Sequence, residues 1–155
     1  MIPDRVAEVL EGPSYVQIGS RDEALRPRHT LAVGAMVHPD RQTVTLLVPA
    51  GRAERVLRDL TANGRVAVGI GMATHEAYQL KGTYMSSRPT DDADRARQEA
   101  YRVAVLQSSI EAGYPEAVAR PFILGFAYTP SVAITIRTEQ VFLQTPGPGA
   151  GTRLA

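Results

Sequence analysis

Residues 27–48 read PRHTLAVGAMVHPDRQTVTLLV, and this stretch decides the fold. Apolar side chains alternate along residues 27–37: Leu31, Val33, Ala35 and Val37. Residues 43–48 are rich in β-branched side chains, and both patterns are typical of strands. Pro39 and Asp40 lie between the two runs and suit the centre of a type I turn. We therefore predict a hairpin of two antiparallel strands.

Outside the hairpin, residue spacing and the positions of Gly and Pro predict the remaining elements. Further strands are predicted at residues 14–20, 65–70, 77–86 and 131–143. Helices are predicted at residues 3–10, 51–62 and 90–113, with one more helical turn at 116–120 before Pro121. Six strands with few helices indicate an α+β fold, mainly β, dominated by antiparallel sheet. Closing six strands into a small barrel would hide the edges of the sheet.

The third predicted helix has a clear start. Thr90 is predicted to cap it, with Asp91 and Asp92 at the positive end of its dipole. We therefore assign the carboxylates of Asp91 and Asp92 to the start of the helix and not to metal binding. Apolar side chains then recur at helical spacing: Ala93, Ala96, Ala100, Val103, Ala104 and Ile110. We assign residues 1–144 to one domain and expect the Pro/Gly-rich tail at 145–155 to be extended or mobile.

The composition excludes several classes of function. The chain has 155 residues, 44% of them hydrophobic, no Cys and a formal net charge of +1. Without Cys there is no disulfide framework, thiol nucleophile or Cys-ligated metal. The near-neutral charge argues against nucleic-acid binding. No apolar run approaches the roughly 20 residues of a membrane helix, and the first residues lack the apolar core of a signal peptide. We therefore expect a soluble, cytoplasmic protein.

The basic residues are almost all arginine, and Lys81 is the only lysine among seventeen. Four arginines flank the predicted hairpin and the start of the helix after it: Arg26, Arg28, Arg52 and Arg55. A hairpin would bring Arg28 and Arg52 together, where they could hold one anion at a helix N-terminus. The alternative is that these side chains are solvated on the surface of the barrel and the helix.

The three histidines do not share the spacing of metal ligands, and we predict no metal site. His38 lies in the predicted turn, where a structural or exposed role is the default. His75 precedes Glu76 and is a candidate for proton transfer. Neighbours in an extended segment point to opposite sides, however, which argues against direct cooperation between these two.

Several local strings, taken in order, resemble the pyridoxamine 5′-phosphate oxidase-like, FMN-binding split-barrel family. The strings are Gly12-Pro13-Ser14-Tyr15-Val16, the hairpin, the helix ending Leu60-Thr61-Ala62-Asn63, the strand at residues 65–68 and Gln79-Leu80-Lys81-Gly82. The resemblance covers most of residues 3–144. It implies a six-stranded antiparallel split β-barrel with flanking helices that forms a homodimer, with FMN at the subunit interface and a small-molecule substrate.

In this family, basic residues on the second strand and around the entry of the following helix hold the flavin phosphate. Arg55 matches the Arg of a Ser-Arg-Lys string at that entry, while Glu54 and Val56 replace the Ser and the Lys. Arg52 lies one turn earlier, and Gln79 takes the place of an Arg on the fifth strand. The resemblance thus implies these cofactor-binding residues: Arg28, His29, Thr30, Arg52, Arg55, Gln79 and Lys81.

Two functions follow from the resemblance. The first is an FMN-dependent oxidoreductase, in which hydride transfer itself needs no side chain as acid or base, so no catalytic residue is assigned. The second is a noncatalytic or altered-ligand split-barrel dimer that binds a deazaflavin, haem or another phosphate-bearing ligand. The replacements at Glu54 and Val56 motivate this alternative. Pyridoxamine 5′-phosphate oxidase activity itself is disfavoured, because the tail has no recognisable substrate-binding arm.

Overall fold

The computed structural model describes all 155 residues. The elements in chain order are α1 (Asp4–Glu11), β1 (Tyr15–Arg21), β2 (Pro27–Ala32), β3 (Ala35–Val37), β4 (Thr43–Pro49), α2 (Ala50–Asn63), β5 (Arg65–Gly71), β6 (Ala77–Pro89), α3 (Asp92–Glu111), α4 (Glu116–Leu124) and β7 (Ser131–Leu143). The strands form one antiparallel sheet in the order β2-β1-β5-β6-β7-β4-β3. This confirms the mainly β, α+β class, with seven strands instead of six. None of the four helices has the length and hydropathy needed to span a membrane.

The additional strand arises from a break at Val33 and Gly34. Gly34 has φ of +108°, a backbone conformation that residues other than glycine rarely adopt. Before the break, β2 pairs with β1, and after it β3 pairs with β4. The predicted hairpin is therefore confirmed for β3 and β4 and wrong for residues 27–32. The break also changes which side chains face the core: Ala35 is buried there as predicted, but Ala32 takes the place of Leu31.

The same break closes the sheet. β2 and β3 lie at its two opposite edges, and the chain passes directly from one edge to the other. At this corner the Val33 amide donates to the Leu47 carbonyl at 2.6 Å, and the Leu47 amide donates to the Gly34 carbonyl at 3.0 Å. The curled sheet encloses one cluster of 23 buried apolar residues.

Helix α2 covers this core from one side. Val56 and Leu60 are buried as their spacing predicts. The helix ends at Gly64, which has φ of 70° and donates its amide to the Leu60 carbonyl at 2.8 Å. Because α2 follows β4 and packs against β1 and β2, its first turns lie beside the edge strand β2. This placement forms the candidate site described below.

The predictions for α3 need two corrections. Its cap is Asp91, not Thr90: Asp91 accepts from the Asp94 amide at 2.9 Å, and Asp94 accepts from the Asp91 amide at 3.1 Å. Its alanine-rich face is largely exposed, as is Val103. The buried face carries mostly polar side chains instead: Asp94, Gln98, Arg102, Val105, Leu106 and Ser109.

Helix α4 and the tail also differ from expectation. α4 continues past Pro121, and the Gly125 amide closes its last turn on the Pro121 carbonyl at 2.9 Å. The tail folds back along β7 beyond the residues that pair with β4. There the Leu154 amide donates to the Val141 carbonyl at 2.7 Å. The tail therefore adds backbone hydrogen bonds to an otherwise open strand edge and is not simply extended.

Candidate functional site

A groove runs between the edge strand β2 and the first two turns of α2. Five of the predicted site residues line it, and we call it the basic groove: Arg28, His29, Thr30, Arg52 and Arg55. It consists of two adjoining cavities of about 690 and 410 Å³ that share His29, Arg52 and Arg55. The predicted convergence of Arg28 and Arg52 is thus observed. Its cause is the packing of α2 beside β2 and not the predicted hairpin.

Arg28 is held by two carboxylates. Its Nη1 lies 2.5 Å from Asp59 Oδ1, and its Nη2 lies 3.3 Å from Asp22 Oδ2. Ser20 also donates to Asp59, at 2.8 Å. Burial raises the pKa of Asp59, but the hydrogen bonds from Arg28 and Ser20 outweigh it and leave the pKa below its ordinary value. The charge of Arg28 is therefore largely balanced within the protein.

Asp59 was not among the sequence-predicted site residues. Only 4% of it is accessible, whereas the other charged residues of α2 are exposed. The signal in the sequence is its spacing: Asp59 lies three residues after Val56 and next to Leu60, on the stripe that faces the core. A carboxylate at such a position needs a partner that balances its charge, and Arg28, whose side chain is 31% exposed, is that partner.

Arg52 and Arg55 differ from Arg28 because neither has a carboxylate within ion-pair distance. Both are exposed on the first two turns of α2, where no side chain caps the helix and the first turn holds no acid. Arg52 lies over the Phe126 ring, 5.5 Å from its centre. The unbalanced guanidinium groups and the positive end of the helix dipole give this end of the groove a positive potential.

Glu54 lies between these two arginines in sequence and also lines the basic groove, but it is paired with another residue. Its Oε1 is 3.1 Å from Nη2 of Arg58, one turn further along the exposed face of α2. The acid that replaces a serine in the family pattern is therefore paired with its own cation. Val56 is buried in the core and leaves no charge at the position of the family lysine.

Gln79 and Lys81 lie apart from the basic groove, on β6. The register places His29, Gly19, Ala67 and Lys81 side by side across four strands. Neighbouring strands lie about 4.8 Å apart, so Lys81, three strands away, is roughly 14 Å from His29. Between them, Gly19 and Ala67 form the floor of a shallow concavity of about 860 Å³, which we call the sheet trough. Lys81 borders it and lies 4.8 Å from the centre of the Phe142 ring.

The histidines have separate roles. His38 Nε2 is 2.9 Å from Thr45 Oγ1 in the β3–β4 hairpin. His75 occupies a left-handed turn position with φ of 69°. Glu76 binds Arg5 at 2.7 Å and accepts from the Tyr78 hydroxyl at 2.7 Å, so it is not paired with His75. Only His29 lies in the basic groove. The structure brings no three His, Asp or Glu side chains together as metal ligands.

Comparison with known proteins identifies the fold. No protein-family model matches the chain, and no curated protein matches it in sequence. Among solved structures, a HupZ protein of Group A Streptococcus is 14% identical, covers 98% of this chain and 99% of its own, and has a TM-score of 0.57. An F420 reductase is 15% identical, covers 90% of this chain and 98% of its own, and has a TM-score of 0.56.

A weaker match is a protein of the pyridoxinephosphate oxidase family from Clostridium acetobutylicum, related to general stress protein 26. It is 14% identical, covers 90% of this chain and 85% of its own, and has a TM-score of 0.47. The split-barrel fold implied by the sequence resemblance is confirmed. At such identities the likeness concerns the fold alone.

Proposed function

We propose that the protein is an FMN-binding oxidoreductase of the pyridoxamine 5′-phosphate oxidase-like type, acting on a small molecule. One observation carries the proposal: Arg52 and Arg55, without carboxylate partners, lie at the uncapped start of α2 and face β2 across the basic groove. Guanidinium groups at a helix N-terminus bind phosphate esters well, because the forked donors and the helix dipole both favour an anion.

The charges of the groove suit a flavin phosphate. Arg28 is balanced by Asp59 and Asp22, and Glu54 is paired with Arg58, so the charges of Arg52 and Arg55 remain for a ligand. The two cavities of the groove have the size of small-molecule sites. We assign the phosphate to Arg52 and Arg55, flanked by His29 and Thr30, with Arg28 holding β2 in position.

The sheet trough would receive the remainder of the cofactor. Gly19 and Ala67 leave its floor low enough for a planar group. Lys81 borders the trough on the neighbouring strand, and Gln79 lies two residues earlier on that strand, outside the lining. FMN, when bound, supplies a ring that accepts a hydride from a reduced substrate. The residues of the chain bind and orient, and none is assigned as an acid or base.

We further propose that the functional unit is a homodimer, as the sequence resemblance implies. A second copy over the outer face of β1, β5 and β6 would cover exposed residues such as Gln17, Gly69 and Lys81 and exclude water from the trough. Analytical ultracentrifugation tests this part, and a monomer at every concentration would contradict it. The cytoplasmic location stays a prediction of the sequence.

The binding proposal is tested by titrating the purified protein with FMN and following flavin absorbance and fluorescence. We expect saturable binding of one FMN per protomer, weakened at least tenfold by Arg52→Ala combined with Arg55→Ala. Arg97→Ala is the matched control, because Arg97 is exposed on α3 and does not line the groove. If FMN binds and the double variant binds it equally well, the assignment of the phosphate is wrong.

The alternative is a split-barrel dimer that binds a deazaflavin, haem or another phosphate-bearing ligand, with or without catalysis. A deazaflavin is favoured among these by the structural likeness to an F420 reductase and by the loss of the family Ser and Lys at Glu54 and Val56. Parallel titrations with FMN, coenzyme F420 and haemin separate the cases. Binding of F420 without binding of FMN would replace the first proposal with the second.

A further inference from the structure

A separate cavity of about 320 Å³ lies between α3, α4 and the ends of β1 and β2; we call it the helix cavity. Nine of its thirteen lining residues are hydrophobic. Tyr15 and Tyr101 present their rings to it, since their hydroxyls are engaged: Tyr15 with Ser109 Oγ at 2.9 Å, and Tyr101 with the Ser14 carbonyl at 2.6 Å. The cavity therefore suits an apolar group of modest size.

One buried cation interrupts this apolar wall. Arg102 is only 7% exposed and lines the cavity. Its Nη2 donates to the Leu124 carbonyl at 2.6 Å, its Nη1 donates to Glu99 at 3.2 Å, and its guanidinium lies 4.2 Å from the centre of the Tyr128 ring. Its Nε has no hydrogen-bond partner although it is buried. Such orphaned donors are rare in folded proteins and indicate an absent partner.

The electrostatic surroundings favour an anionic partner. The charged residues that line the helix cavity are Arg102 and Arg52, and no acid lines it. Glu99, which contacts Arg102, is half exposed and also accepts from the Tyr128 hydroxyl, so it balances Arg102 only in part. Both Nη groups of Arg102 are engaged, so Nε is the donor left for a ligand, and a carboxylate oxygen accepts strongly from a charged N–H group.

We propose that the helix cavity binds a small carboxylic acid with an apolar, aromatic or short aliphatic body, whose carboxylate accepts from Arg102 Nε. The apolar body lies among Tyr15, Tyr101 and Ile123. The proposal does not depend on flavin binding, because Arg102, Tyr15, Tyr101 and Ile123 do not line the basic groove, which shares only Leu31 and Arg52 with the helix cavity.

The test compares two probes of equal shape, trans-cinnamate and its uncharged amide, by isothermal titration calorimetry at neutral pH. We expect saturable binding of cinnamate and at least tenfold weaker binding of cinnamamide, because the carboxylate accepts a charge-assisted hydrogen bond from the guanidinium, whereas the neutral amide carbonyl accepts a weaker one. Nuclear Overhauser contacts from the cinnamate ring to the Ile123 and Val105 methyl groups should place it in the cavity. No binding, equal binding of the two probes, or contacts elsewhere would overturn the proposal.

Variants add a second measurement. Arg102→Met should reduce the preference for cinnamate over the amide to near unity, while Arg97→Met, on the exposed face of the same helix, should leave it unchanged. Arg102→Lys keeps the charge but loses the Nε donor, and we expect an intermediate preference. The comparison of the two probes on the unmodified protein stands even if Arg102→Met does not fold. An unchanged preference in a folded Arg102→Met protein contradicts the assignment.

Discussion

Asp59 is a carboxylate of α2 whose charge is held inside the protein by two donors. Arg28 and Ser20 contact its two oxygens at 2.5 and 2.8 Å. Burial acts to raise the pKa of Asp59, yet these contacts prevail and hold it below the ordinary value of 3.8. Since the folded-state pKa is lowered, the charged form stabilises the fold above pH 3.8. That stabilisation is lost as the pH falls through the folded-state pKa.

This gives a prediction for Asp59→Asn. At neutral pH the variant should have a free energy of unfolding about 1 to 2 kcal/mol below that of the wild type, because a charge-assisted contact is lost. The difference should shrink as the pH is lowered below 3.8. Urea unfolding over a pH series measures it, with Asp92→Asn as control because the Asp92 side chain is 97% exposed. A difference that stays constant with pH would show that the charge of Asp59 is not what stabilises the fold.

At the scale of the element, α3 shows how tertiary partners override a sequence pattern. Its alanines recur at helical spacing, yet they are small and gain little from burial. The buried positions hold polar side chains that find partners on other elements: Gln98 donates to Ser131 Oγ at 3.0 Å, and Arg102 donates to the Leu124 carbonyl. Such partners lie far away in the sequence, so spacing along the helix alone could not predict them.

The start of α3 allows a direct test of its cap. Asp91→Ala removes the side chain that accepts the Asp94 amide, and we expect the free energy of unfolding to fall by about 1 kcal/mol. Thr90→Ala is the matched control, since the Thr90 hydroxyl contacts only the Ser131 carbonyl, at 3.3 Å. Chemical denaturation of both variants measures the effect. If Thr90→Ala lowered the free energy of unfolding more than Asp91→Ala does, Thr90 and not Asp91 would be the main cap of α3.

For the whole molecule, the order and type of the elements follow from the sequence because spacing, Gly and Pro mark them locally; β7 has the predicted bounds, residues 131–143. Strand pairing could not be predicted from the sequence, because nothing there shows that Gly34 interrupts the alternating pattern of residues 27–37. The predicted meeting of Arg28 and Arg52 rested on a pairing that β2 does not make, yet the packing of α2 beside β2 brings the two residues together. The ion pairs of Arg28 with Asp22 and Asp59 depend on this tertiary arrangement.

Closure of the barrel therefore depends on one backbone conformation. Gly34 has φ of +108°, and a Cβ there would lie 3.3 Å from Leu47 Cδ1, beside the two hydrogen bonds that join the edges of the sheet. Gly34→Ala should lower the free energy of unfolding by at least about 1 kcal/mol, because alanine is strained at this φ. Gly69→Ala is the control, since a Cβ at that strand position meets nothing within 4 Å, and its stability should be equal or higher. Urea unfolding compares the two. If Gly34→Ala matched Gly69→Ala, the corner would tolerate another conformation, and the separation of β2 from β3 would not require glycine.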